Sequence, residues 1–559
     1  MSEGKNKRLA PVGRPDVRPQ SKGYGDAGAS QTRRAMKGWF ARSGSPQEDI
    51  DSNNYTLRQR ARMLYMSAPI ATSAIKTNRT NVIGRGLWLK SRINREALGM
   101  SEEAARAWQR RTESEFRMWA ADKKNCDAIG VSNFYAMQGV AFAAMLLSGD
   151  VFALICHEKP TARCPYGLRL RLIEADLIST PNAPGGGVYT VGVNFTQGKA
   201  ENGNPIYDGV EVDKTTGAIV AYHIRNKYPF ELTGEPVKWQ RVEAYGRLTG
   251  LPNILHLMDA ERPQQYRGVT YLAQVIEPLL QGRRYTESEL VAAIVESFFT
   301  AFIKTEAEPT RMPMNEVGDP AGEFGEDMPI VKTPNEYEMG PGTINVLKPG
   351  EDVEFGDPKR PSSGFANFMG EIAKQVGAAL EIPADLLLKA FNASYSASRA
   401  ALLEAWKAFK MRREWFIDDF CKPVYEIWLS EAVASERIAA PGFFGDARIR
   451  AAWLGSEWTG PSQGQLDPVK EIQAEELACK NGFSTREQST VRLNGGSFEA
   501  NAEQLRGENA LLNGADPQAV GARAAAQKPS ASVLDALAQM LLPAIKKAMQ
   551  KEGKYNAEE

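Results

Sequence analysis

Between Gly268 and Ile303 apolar residues recur at near-helical spacing over many turns, with Gly282 as the one break. Such a run predicts one long helix or two stacked ones. A helix of that length draws its stability from the surface it buries, so it packs against copies of itself or spans an assembly. The chain is also 559 residues long, beyond the ~250–300 residues at which a single core stops growing, and it should divide into roughly three or four packed units.

Upstream of that run the sequence alternates between helical and strand-like patterns. Residues 1–45 hold ten Lys and Arg against three acids with almost no apolar periodicity, the composition of a basic disordered arm or a solvated tail. TLRQRARMLYMSAPIATSA, residues 56–74, has helical spacing, and Arg85-Gly86 then gives way to an apolar strand-like run. A second helix is expected from Ser101 to Trp119, with Ser101 as its cap and Glu102 and Glu103 in its first turn. FYAMQGVAFAAMLL reads as a helix, Gly149-Asp150 as a turn, and VFALICHE as a strand. The runs LRLRLIEADLI, YTVGVNF, GVEVD and AIVAYHI are β-type, separated by the turn-rich PNAPGGG, KAENGNP and DKTTG, so this part is α+β.

Downstream, Glu306 to Glu354 carries twelve acids and three bases (Arg311, Lys332, Lys348). It reads as a loop-and-strand segment. A Ser-rich run then leads into a helix whose Leu402, Trp406, Phe409, Phe416 and Phe420 step by three, four or seven to form one apolar stripe. Glu404, Lys407, Lys410, Arg412 and Arg413 fall mostly off that stripe. One of Ser394, Ser396 and Ser398 is expected to cap the helix and Pro423 to end or kink it. Beyond Gln465 the chain turns polar, with a last amphipathic helix at Val533–Met549.

Several function classes are disfavoured by residues that are missing. With 68 basic and 68 acidic residues, the molecule as a whole is not an electrostatic clamp for nucleic acid or anionic membrane. Five cysteines without CxxC spacing read as reduced thiols. The most apolar segment, Leu290–Ile303, is short of ~18 residues and carries Glu296, so no membrane span is expected. His157, His223 and His256 have no acidic or cysteine partner at metal or triad spacing and read as core or surface histidines. No GxxxxGK[ST] is present, nor a GxGxxG after a strand, and adjacent carboxylates such as Asp418-Asp419 point about 100° apart on a helix. No catalytic residue, cofactor or metal ligand is assigned.

Four strings, in order, resemble the phage portal proteins of the lambda family, and the resemblance runs roughly from Trp39 to Ala510. The first is residues 56–87, a Leu-Arg-x-Arg helix leading to the turn Ile83-Gly84-Arg85-Gly86. The second is IEADLI followed by GVEVDKTTGAIVAYHI. The third is residues 256–276, where Arg262-Pro263, Gln265 and Arg267-Gly268 match an Arg-Pro-x-Gln-x-Arg-Gly signature. The fourth is the Ser-rich helix with Tyr395, Ser396, Arg399, Ala400, Leu403, Glu404 and Trp406.

The resemblance implies a ring-forming α+β portal fold: a dodecamer at one capsid vertex of a virion, assembled in the host cytoplasm. Double-stranded DNA passes through the ring, the large terminase subunit and head-completion or tail connector proteins dock on it, and major capsid and scaffold proteins surround it. On that plan residues 1–45 are the basic arm, 46–265 an α/β wing, 266–303 the long stem helix and 304–355 an acidic clip. Residues 356–430 supply stem, tunnel and wing helices, 431–510 a mainly helical C-terminal wing or crown, and 511–559 a flexible tail. A channel that DNA slides through gains from few tight phosphate contacts, which fits zero net charge and a locally acidic segment.

Arg262, Arg267, Arg399, Glu404 and Trp406 are expected to serve assembly and structure. Arg262 and Arg267 could instead act on DNA, but they lie where strands hand over to the long helix, where a guanidinium fork ties carbonyls and carboxylates. Candidates for the channel or the terminase-facing surface are Glu277, Arg283, Arg284, Glu323, Glu326, Asp327 and Lys332. The rival readings are a minor capsid or adaptor protein without a channel, and a head-maturation nuclease or peptidase, which would need convergent carboxylates, a metal cluster or an activated Ser.

Overall fold

The computed structural model describes residues 29–30, 33–181, 197–231, 234–297, 301–305, 351–355, 364–391, 394–464 and 467–515. After a π-helical turn at Gln47–Asp51 come helices α1 (Ser52–Ser67) and α2 (Pro69–Val82), strand β1 (Trp88–Ser91), α3 (Glu102–Ala121), the short α4 (Lys123–Cys126) and α5 (Phe134–Ser148). Strands β2 (Asp150–His157), β3 (Leu168–Glu174), β4 (Gln197–Lys199), β5 (Pro205–Tyr207), β6 (Val210–Val212), β7 (Ile219–Arg225), β8 (Trp239–Glu243) and β9 (Ile254–Met258) follow. Then α6 (Ile276–Ser297), β10 (Ala301–Thr305), β11 (Glu351–Phe355), α7 (Phe365–Ala379), α8 (Ala384–Leu388), α9 (Tyr395–Phe416) and α10 (Lys422–Ala434) lead to α11 (Ala447–Trp453), β12 (Ser456–Thr459), α12 (Pro468–Lys480), α13 (Arg486–Asn494) and α14 (Phe498–Ala515).

The architecture is α+β. An antiparallel sheet in the order β3-β2-β9 is covered on one face by helices and on the other by a five-stranded sheet in the order β4-β5-β6-β7-β8. The period-two alternation of β2 explains how one strand serves both: Val151 and Ala153 join the large helical core, while Phe152 joins the small core with Ile173, Val210 and Tyr222. The large core takes residues from α1 through β12, including Trp119, Phe134, Phe409, Phe416, Phe420 and Trp428.

Local signals explain most boundaries. Ser101 accepts a hydrogen bond from the Ala104 amide and so caps α3. Asn133 does the same for α5 through the Ala136 amide, and Gly149, at φ +90°, ends that helix.

The run from Gly268 to Ile303 is not one helix. A 3-10 turn at Ala273–Val275 leads into α6, which spans Ile276–Ser297, and Ala301–Thr305 is a strand paired antiparallel with Glu351–Phe355. A continuous apolar run cannot by itself distinguish helix from strand, and here the partner strand decides. Gly282 does not interrupt α6. It faces Ile372 and Met369 of α7 at ordinary contact distance.

Pro423 does not end its helix either. A π-helical turn at Ile417–Cys421 joins α9 to α10 and puts Pro423 in the first turn of α10, where its missing amide costs nothing. Ser394 occupies the N-cap of α9, but its hydroxyl makes no capping bond. The expected YTVGVNF strand and the Val533–Met549 helix lie outside the described residues.

Candidate functional site

The Gly149-Asp150 turn and the Arg267-Gly268 pair of the third string meet in space. A Cβ on Gly268 would stand 1.9 Å from the Gly149 carbonyl oxygen, and one on Gly149 would stand 2.5 Å from the Gly268 backbone, so only glycines permit this approach. The contact sets Arg267 and Asp150, both fully buried, side by side.

Arg267 Nε donates to Asp150 Oδ2 at 2.6 Å and Nη2 to Oδ1 at 3.2 Å, the bidentate fork that suits guanidinium to carboxylate. Its Nη1 lies 2.8 Å from Asp208 Oδ2 and donates to the Ile178 carbonyl, and Nη2 donates to the Ala175 carbonyl at 2.9 Å. Arg58 of α1 enters from the other side, donating to the Ser148 carbonyl at 3.0 Å and facing Asp150 at 3.5 Å, Asp208 at 3.7 Å and Asp176 at 3.8 Å. Arg62, one turn on, pairs with Asp176 and Glu174. His256 Nε2 lies 3.4 Å from Asp150 Oδ2, its ring stacked on Phe152. The cluster ties α1, β2, the five-stranded sheet and the lead-in to α6 at one point.

Burial alone would raise the Asp150 carboxyl, but the guanidiniums of Arg267 and Arg58 outweigh it and hold the group well below the usual carboxylate range. Asp208 is raised, because burial exceeds what the same two arginines return. Asp51 is 2 % exposed and its Oδ2 has no hydrogen-bond partner. Burial and the neighbouring Asp208 push it up to about 8. Asp176 is taken up by Arg62, which leaves Asp150, Asp208 and Asp51 around Arg267 and Arg58, and the surplus carboxyl keeps a proton. Burial also lowers His256, so the ring stays neutral.

Arg262 points the opposite way from Arg267. Gln265 folds the loop between them, accepting from the Glu261 and Arg262 amides and donating to the Arg267 carbonyl. Half-exposed Arg262 then reaches Asp49 at 2.7 Å and the Gly44 carbonyl at 2.9 Å, stapling the segment before α1.

On α9, Trp406, Phe409 and Phe416 are buried within the single subunit, as is Phe420 in the π-helical turn that follows, and Leu402 is half-buried. The stripe is therefore covered within its own subunit, while Leu403, Met411 and Trp415 elsewhere on α9 stay partly exposed. Arg399 is half-buried, and Glu404 is exposed and paired with Lys407 at 2.7 Å. Arg412 and Arg413 are not part of an exposed charged flank: Arg412 donates to Asn78 and Glu381, and Arg413 to the carbonyls of Asn81, Val82 and Pro461, closing the C-terminal end of α2.

On α6, Glu277 is exposed and accepts from Gln281, Arg283 pairs with Glu287 at 2.9 Å, and Arg284 is exposed. Glu323, Glu326, Asp327 and Lys332 lie outside the described residues. Sequence reading passed over Asp150, Asp208, Asp51 and Arg58 as site residues. Arg58 had a signal in its place in the Leu-Arg-x-Arg string.

Two of the histidines do have acidic neighbours, brought from other strands: His223 Nε2 lies 3.1 Å from Glu211, as His256 lies beside Asp150. Both rings are held in place by these carboxylates, and His256 also borders a cleft shared with Asp418, Asp419 and Arg450. Among the described residues no group of three or more His, Cys, Asp or Glu is placed to hold a metal ion, and no helix is long and apolar enough to cross a membrane.

A locked cluster whose every guanidinium contact is internal defines a structural subunit. The chain belongs to the family of phage portal proteins, lambda family, which matches residues 32–413, and it is a portal protein of a tailed phage rather than an enzyme. Portal protein B of Escherichia phage lambda is 23 % identical over 518 residues, covering 89 % of this chain and 91 % of that protein. The portal protein of Escherichia phage N15 is 22 % identical, over 89 % of this chain and 92 % of the relative. The probable portal protein of Halomonas phage phiHAP-1 is 26 % identical, over 82 % and 80 %. Among solved structures, the neck of a native gene transfer agent particle computed with C12 symmetry is similar over 78 % of this chain and 92 % of that one, at 12 % identity and a TM-score of 0.39.

Proposed function

We propose that the protein forms a closed, dodecameric ring at the portal vertex of the capsid. Double-stranded DNA is packaged and ejected through its centre, and the ring is assembled in the host cytoplasm within major capsid and scaffold proteins. The single observation that carries the ring is the C-terminal half of α6, where Leu290, Val291 and Ile294 are 62 %, 59 % and 49 % exposed on an ordered helix. Leu290 and Val291 stay the most exposed of the three among the described residues, and the family membership supplies the partner, a further copy.

On this reading 46–265 is the wing, 266–303 the stem and 304–355 the clip. Residues 356–430 add stem, tunnel and wing helices, and 431–510 the C-terminal wing or crown. Support for a clip is the β10–β11 ladder, in which Ala301 pairs with Phe355 and Thr305 with Glu351, closing the acidic segment into an excursion from the end of α6. That excursion is where the large terminase subunit and later the connector proteins dock, through Glu323, Glu326, Asp327 and Lys332. Glu277, Arg283 and Arg284 face the channel, while Arg262, Arg267, Arg399, Glu404 and Trp406 hold the subunit and its assembly. Deleting residues 312–328 should leave rings intact by negative-stain imaging and abolish DNA packaging. Packaging at normal yield would refute the clip.

A further inference from the structure

A cleft of ≈ 480 Å³ opens where the end of α5, β9, the lead-in to α6 and α9 meet. Its floor is apolar, with Leu146, Leu257, Val269 and Phe416, and Met411 and Trp415 of α9 form an exposed apolar rim. Five carboxylates line it against two arginines. Arg262 is engaged by Asp49 and Arg412 by Glu381, so Asp259, Glu261 and Asp419 are left without an ion-pair partner among the described residues. The volume lies within the ~300–1,000 Å³ of pockets that enclose ligands of several rings.

The chain carries a segment of complementary character. Arg33–Arg42, RRAMKGWFAR, has four bases and no acid, and it presents Trp39 at 74 % and Phe40 at 92 % exposure. It leaves the body at the cleft's edge, where Arg262 grips Gly44 and Asp49. Yet it does not enter its own cleft, and both aromatics stand in solvent. A basic aromatic arm and an acidic apolar cleft on one chain, left unmatched within the subunit, make a heterologous pair, the kind of contact that closes a ring.

We infer that the arm Arg33–Arg42 of each subunit docks into the cleft of a neighbouring copy, with Trp39 and Phe40 on the Met411–Trp415 rim and the bases against Asp259, Glu261 and Asp419. This rests on the ring reading given above and adds to it the element that joins one subunit to the next. Burial and the adjacent Asp418 raise the Asp419 carboxyl to about 6, and an arriving guanidinium lowers it again.

The test is a photo-crosslink. The full chain, carrying a benzophenone amino acid in place of Phe40, is assembled from a mixture of ¹⁵N-labelled and unlabelled subunits, irradiated, weighed intact and mapped by mass spectrometry. Crosslinks from position 40 to residues 257–262 or 411–419, joining labelled to unlabelled peptides in a particle of ring mass, are expected. Crosslinks confined to one isotope, or to another surface, in particles that still have ring mass would overturn the arm exchange and leave the ring standing. A monomeric mass would overturn both. Because both aromatics are exposed, Trp39→Ala/Phe40→Ala should fold as wild type and assemble only at about tenfold or higher protomer concentration, as loss of aromatic anchors does. Unchanged assembly would also overturn the exchange.

Discussion

Helices α6 and α9 are both 22 residues long, and they use that length in opposite ways. On α9 the aromatic stripe is spent inside one subunit: Trp406, Phe409 and Phe416 are buried, and Arg412 and Arg413 tie the helix to α2. Among the described residues, the first half of α6 is secured by Leu279 in the core and by the Arg267 cluster ahead of it, while Leu290, Val291 and Ile294 are exposed. An apolar stripe in a sequence therefore announces burial without saying by what. The same pattern serves a subunit's own core in one helix and, on this account, a neighbour in the other.

Substitutions can break that contrast, and the largest effect is expected at the root of α6. Arg267→Lys keeps the charge but loses the fork to Asp150 and the bonds to Ala175 and Ile178, at about 1.5–3 kcal/mol for each charge-assisted bond left unmade. Calorimetry should show a marked fall in Tm and poor ring yield. A variant with wild-type Tm would mean that Arg267 is not the pin described here. Next is Trp406→Ala, which empties a site 6 % exposed and should cost ~3–5 kcal/mol. An unchanged denaturation midpoint would show that α9 is not spent in the core.

A smaller effect, visible as a slope, belongs to Asp51. Its folded carboxyl is raised to about 8 against an ordinary value near 3.8. The folded state therefore binds the extra proton between those values, and stability falls as pH rises through that window. Asp51→Asn removes the titration, so its Tm advantage over wild type should grow from pH 5 to pH 8. A pH-independent difference would contradict the surplus-carboxyl account. Least affected in the isolated subunit is Leu290→Asp, expected within about ±0.5 kcal/mol because the site is exposed, though assembly should suffer. A large loss of subunit stability would place Leu290 in a core and erase the contrast with α9.

Elements whose signals are local were legible in the sequence: the Ser101 cap, the Gly149 stop, and the alternating strands β2, β3 and β7. What was not legible depended on partners far along the chain. Asp150 read as half of a turn because Arg267 lies 117 residues away. His223 and His256 read as lacking acidic partners because Glu211 and Asp150 reach them across strand pairings. Ile303 read as helical because its strand partner, Val353, lies at the far end of the acidic segment. Arg412 and Arg413 read as surface charge because the Asn78 and Asn81–Val82 groups they satisfy belong to α2. Arg267 itself was singled out by its Arg-Pro-x-Gln-x-Arg-Gly string, while Asp150, Asp208 and Asp51 carried no string of their own.

The central claim is that α6 leaves its outer half to a further copy of the chain, and the mass of the purified assembly at micromolar concentration tests it most directly. Wild type should give a single closed species of uniform stoichiometry, and Leu290→Asp/Ile294→Asp, with an unchanged subunit fold, should shift the distribution to smaller species. A stable wild-type monomer, or a double variant with the same ring mass as wild type, would contradict it.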